Sequence, residues 1–148
     1  MLADFQQALA DLTRSPALCY RVRQDPLALF KNYVLTEREW KRLVGIVQHR
    51  GMQCACIVYR ANRLAPLALN LPLTCKALGE HLRSLVSEFW DCFPEANVHF
   101  FVESDRFCRF LKMKLDEGRS FPAELGAALA QESPTIRAAL KESYTEQS

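Results

Sequence analysis

Glycine is scarce: only five stand among 148 residues, and they are dispersed. A phosphate cradle needs several glycines close together, and the chain has no Walker loop and no GxGxxG. It also lacks the GxSxG of a nucleophile elbow and the HExxH of a metallopeptidase helix. No catalytic residues are therefore assigned. Charge of one sign is missing too, since 19 basic and 17 acidic side chains are scattered to a formal net charge of +2. Without a clustered basic face a nucleic-acid partner is not expected. The longest uncharged run, Leu64 to Cys75 (LAPLALNLPLTC), is too short to cross a membrane and is interrupted by Pro66 and Pro72. The N-terminus MLADFQQALADL has no basic region ahead of its apolar residues, so no signal peptide is read and a cytoplasmic location is expected. The six cysteines show no CxxC and no pair of Cys/His clusters, which argues against structural zinc. No metal or cofactor is assigned to this chain. In a reducing compartment its thiols are expected to pack as small hydrophobes.

What is present is a composition able to fold: 49% hydrophobic and 24% charged residues over a length suited to one domain, residues 1–148. Helix signals fill residues 1–50. Leu2, Phe5, Leu9 and Leu12 recur at helical spacing. Ser15-Pro16 and Asp25-Pro26 each join a capping side chain to a proline suited to the first helical position, predicting short helices over 16–22 and 26–32. Thr36 and Glu39 form a capping box ahead of Trp40, Leu43, Val44 and Val47, with Gly51 placed to close the helix. Residues 53–103 read as strand, helix, strand. Gln53 to Tyr59 alternates, as does Asn97 to Glu103, and a long helix from Leu73 to Phe93 lies between. Helices over 107–118, 122–131 and 134–144 complete the chain, the last opening at Ser133-Pro134. The expected fold is α+β and mainly α, with helices around a two- or three-stranded sheet that keeps a free edge.

Three groups of residues invite chemistry. Cys54 and Cys56 could chelate a thiophilic metal with Cys75 or His81. In a strand, though, the pair points to one face about 7 Å apart, beyond disulfide reach, and the simpler reading is packing. His49, His81 and His99 each sit in a plausible structural context. Arg60, Asn62 and Arg63 are either a solvated strand end or contacts for a peptide or partner, because guanidinium groups match carboxylates. The strand edges themselves, Cys54, Ala55, Cys56, Ile57, Val58 and Tyr59 on one side and Val98, Phe100 and Val102 on the other, could receive an extended peptide.

Two stretches carry resemblances. SPALCYRVRQDPLALFKNYVLTEREWKRLV resembles the small helical units in the alpha subunit of protocatechuate 4,5-dioxygenase-type enzymes. YRANRLAPLALNLPLTCKALGEHLRSLVSEFWDCFP is similar to the small partner subunits of multinuclear non-haem iron oxidases in ribosomal peptide natural-product biosynthesis, of the methanobactin and 3-thiaglutamate type. The matching features are Arg60 and Arg63 after a strand, the helix opening at Leu71-Pro72 and Thr74, and the long amphipathic helix ending at Pro94. The resemblance implies a heterodimer in which iron resides in a separate TIM-barrel oxidase subunit. This chain would bind the leader of a precursor peptide while the oxidase modifies a cysteine of that peptide. The alternatives are a stand-alone cysteine-dependent or metal-binding enzyme and a non-catalytic helical adaptor.

Overall fold

The architecture comes from a computed structural model, which describes residues 2–96 and 99–145. Those residues form helices joined by turns: α1 (Leu2–Arg14), α2 (Pro16–Gln24), α3 (Glu37–Gln48), α4 (Arg50–Asn70), α5 (Pro72–Leu78), α6 (Leu82–Cys92), α7 (Phe100–Asp116) and α8 (Glu124–Thr145). Short 3-10 helices, Pro26–Lys31 and Gly79–His81, lie between α2 and α3 and between α5 and α6. Contacts group the chain into two compact units, Met1–Ala61 and Asn62–Ser148. None of the described helices is long and apolar enough to cross a membrane.

Local signals set the helix starts in the first unit. Ser15 Oγ accepts from the Leu18 backbone N–H, Asp25 accepts from Leu27, and Thr36 and Glu39 complete both halves of their box. Each cap satisfies donors that a helix leaves without intrahelical partners. The apolar faces then close on a core that includes Ala8, Leu12, Cys19, Val22, Leu29, Leu43, Val47, Met52 and Cys56. Burying each leucine or valine there contributes roughly 1.5–3 kcal/mol before chain entropy is counted. Polar ties orient the pieces. Tyr33 donates to Asp11 at 2.7 Å, the Val34 N–H to Asp4 at 2.7 Å, and Trp40 Nε1 to the Pro26 carbonyl at 2.8 Å.

In the second unit Leu67, Leu71, Leu78, Leu85, Phe89, Phe107, Phe110, Leu111 and Leu125 belong to the core. Phe89 meets the Phe107 ring edge-on at 5.2 Å and the Phe110 ring at 5.6 Å, a geometry aromatic pairs favour. Gly118, with φ of +83°, lies just past the end of α7, where a side chain would be strained.

The expected sheet is absent, because no strand occurs among the described residues. Residues 53–59 lie inside α4, where buried Met52, Cys56, Arg63 and Leu67 repeat at helical spacing while Ile57 and Val58 are 67% and 57% exposed. The period is 3.6 rather than 2, and an apolar alternation this short fits both. Pro66, expected to interrupt, sits within α4, and its carbonyl accepts from Ser104 Oγ at 3.0 Å. Of the second expected strand, Asn97 and Val98 lie outside the described residues. Phe100, Val102 and Glu103 form the first turn of α7, where the Glu103 N–H donates to the His99 carbonyl. The helix expected from Leu73 to Phe93 is broken at Gly79, whose φ of +51° suits glycine. Conversely, the two helices expected over 122–131 and 134–144 are one, α8, with Pro134 in its interior.

Candidate functional site

Proline 16 explains the most unusual polar arrangement in the first unit. The Leu12 carbonyl, in the last turn of α1, would ordinarily accept from the N–H four residues on, but residue 16 has none. Two thiols take its place: Cys19 Sγ donates to the Leu12 oxygen at 3.1 Å and Cys56 Sγ at 3.5 Å. Both cysteines are buried, at 2% and 5% exposure. Burial, followed by the neighbouring Cys56 thiol, pushes Cys19 up to about 11.

Around this pair α2 and α4 enclose a groove of about 330 Å³. Pro16, Cys19 and Arg23 line it from α2 at helical spacing, and Met52, Gln53, Cys56, Ile57 and Arg60 line it from α4. The floor is apolar and the charged side chains at it are both arginines. Arg23 Nε donates to the Val47 carbonyl at 3.0 Å, which fixes one side of the groove to the end of α3. The unit around it carries nine basic and five acidic side chains.

The expected site residues separate. Cys56, Ile57 and Arg60 line the groove, whereas Cys54 and Asn62 are exposed elsewhere and Ala55 packs against the core. Tyr59 and Val102 are half-buried, and Phe100 is exposed on α7. With residues 54–59 helical, their backbone offers no strand edge, so strand addition there is ruled out. Cys54 and Cys56 stand on different sides of α4, because two residues advance a helix by more than half a turn.

Arg63 is turned inward, 3% exposed, and belongs to the second unit. Its Nε and Nη2 donate to Glu103 Oε1 at 3.0 and 2.6 Å, and its guanidinium lies 5.8 and 5.6 Å from the Phe89 and Trp90 ring centres. That is a structural ion pair stacked on aromatics.

No protein-family model matches the chain, and neither does any curated protein or solved structure.

A second groove of about 400 Å³ lies between α7 and α8, with Lys112, Asp116 and Arg137 of mixed sign around it. Asp105 already engages Arg109 at 2.8 Å and Arg137 at 3.8 Å. Two further thiols are raised as Cys19 is. Burial, then Glu132, pushes Cys75 up to about 11, and burial, then Asp105 and Glu132, pushes Cys108 up to about 12. A thiol so raised is a poor nucleophile at neutral pH. Among the described residues no three His, Cys, Asp or Glu side chains group to hold a metal. Sequence reasoning missed Cys19 altogether. The missing N–H of Pro16, four residues after Leu12, was the signal in plain view, but which donor would replace it depends on packing.

Proposed function

We propose that the chain is a recognition subunit that holds the leader of a ribosomally made precursor peptide in the groove between α2 and α4. It presents that peptide to a separate iron-dependent oxidase, which modifies a peptide cysteine. The groove is the observation that supports the recognition half: an apolar floor with arginines, in a unit with excess positive charge, suits an amphipathic helix flanked by acidic residues. This helix-in-groove mode replaces strand addition. The oxidase half rests on the resemblance of residues 59–94 to partner subunits of such oxidases. The metal-binding rival is favoured by no metal-holding grouping among the described residues.

The test uses a labelled amphipathic peptide, with leucines at helical spacing and glutamates at both ends, in fluorescence anisotropy. Ile57→Glu and Arg60→Glu each place an acid at the groove and weaken binding by roughly tenfold or more, since like charges at an interface cost of order kcal/mol. Affinity that both variants leave unchanged would remove the groove from consideration. Binding of the peptide to the isolated chain, with oxidation of a precursor cysteine only after the oxidase is added, divides the two roles as stated.

A further inference from the structure

We infer that Cys19 and Cys56 form a reversible disulfide site on the wall of the α2–α4 groove, oxidised by small disulfide molecules that enter through it. Three observations carry this. First, both sulfurs donate to a single oxygen, that of Leu12, at 3.1 and 3.5 Å, so they sit beside each other on facing helices. Second, Cys56 is close enough to Cys19 to help push that thiol's titration up. Third, although little of either side chain meets bulk solvent, both line the groove and are approached from it. The adjacent Cys54 faces solvent elsewhere and takes no part.

The chemistry balances as thiol–disulfide exchange. One cysteine attacks a sulfur of the small disulfide as its thiolate, a fraction that burial keeps small for Cys19 so that exchange is slow at neutral pH and quickens as pH rises, forming a mixed disulfide and releasing one small thiolate, which takes up a proton. The other cysteine, as thiolate, attacks the protein-bound sulfur. The Cys19–Cys56 bond forms as the second small thiol leaves. Two electrons pass from the protein sulfurs to the small disulfide, and the two thiol protons end on the released thiols. The bond also removes both S–H donors from the Leu12 oxygen, whose backbone donor Pro16 cannot supply. A buried acceptor left without donors opposes the oxidised form, so the bond is readily reduced and acts as a switch rather than a permanent staple.

The experiment uses the full chain with Cys54→Ser and Cys92→Ser, which removes the two exposed thiols. Native protein is incubated with cystamine, quenched in acid, and read by intact mass and peptide mapping. The expected product has lost two hydrogens, carries linked peptides containing Cys19 and Cys56, and returns to the starting mass with dithiothreitol. Adding Cys19→Ser stops the reaction at a cysteamine adduct on Cys56. Recovery of Cys19 and Cys56 as free thiols, under conditions that modify both in the urea-unfolded chain, overturns the inference. So does their linkage to Cys75 or Cys108 instead.

Discussion

Arg63 is the residue whose meaning changes most between sequence and structure. Beside Arg60 it reads as half of an exposed basic pair, yet it is buried against Glu103, Phe89 and Trp90. Three positions turn an α-helix by about 300°, and that difference puts one arginine on the groove and the other in the core. A buried ion pair is worth little over an apolar pair of the same size, but half of one is costly. Glu103→Leu alone therefore costs about 3–5 kcal/mol, while Glu103→Leu with Arg63→Met recovers most of that loss. Urea denaturation of the two single variants and the double variant checks this. A loss in the double variant equal to the sum of the two single losses would show that the pair is not coupled.

At the scale of the element, helix starts divide into those capped locally and those capped from afar. Ser15, Asp25 and Thr36 lie within a few residues of the donors they satisfy, and each was legible in the sequence. Helix α5 starts at Pro72 after Leu71, which has no side chain able to cap. Its cap comes from α8, where Glu132 accepts from the Leu73 N–H at 2.7 Å, the Thr74 N–H at 2.9 Å and Thr74 Oγ1 at 2.7 Å. Sequence reading cannot find a cap 58 positions away. Glu132→Ala leaves those donors buried without an acceptor and costs about 1–3 kcal/mol. Glu132→Gln, which keeps one carbonyl arm, costs less. Thermal unfolding of both variants measures the difference, and an Ala variant as stable as the parent would refute the assignment. The strand error has the same origin. Seven residues, six of them apolar, cannot distinguish period 2 from period 3.6, and only the burial of Met52, Cys56 and Leu67 at helical spacing shows which holds.

Over the whole molecule the cysteines form a pattern that no single position reveals. Buried Cys19 lies in the first unit, and Cys75 and Cys108 in the second. All three thiols are raised from an ordinary 9.0, to about 11, about 11 and about 12. A raised folded-state value means that the unfolded chain gives up these protons first. Their contribution to stability is thus complete below about 9, and is lost as pH rises through the folded values. Stability is expected to fall steadily above pH 9.0. Tyr33, raised by burial and by its hydrogen bond to Asp11, adds to the loss at still higher pH. Urea midpoints measured on both sides of that pH test it, and replacing Cys108 with alanine should flatten the decline. A profile unchanged by that replacement would mean the thiol does not titrate with unfolding.

The sequence by itself determined the helical character of the first fifty residues, their capped starts and the apolar faces that close on a core. Each of these depends on interactions a few residues apart, which spacing records. Tertiary structure alone decided that residues 53–59 are helical, that Glu132 caps α5, and that Cys19 joins Cys56 at the Leu12 carbonyl. In each case the deciding partner is distant in sequence, and burial rather than local propensity selects it. The cysteines at positions 54 and 56 looked like a pair because they are neighbours in the chain. Helix geometry parts them, and packing gives Cys56 a partner 37 residues earlier.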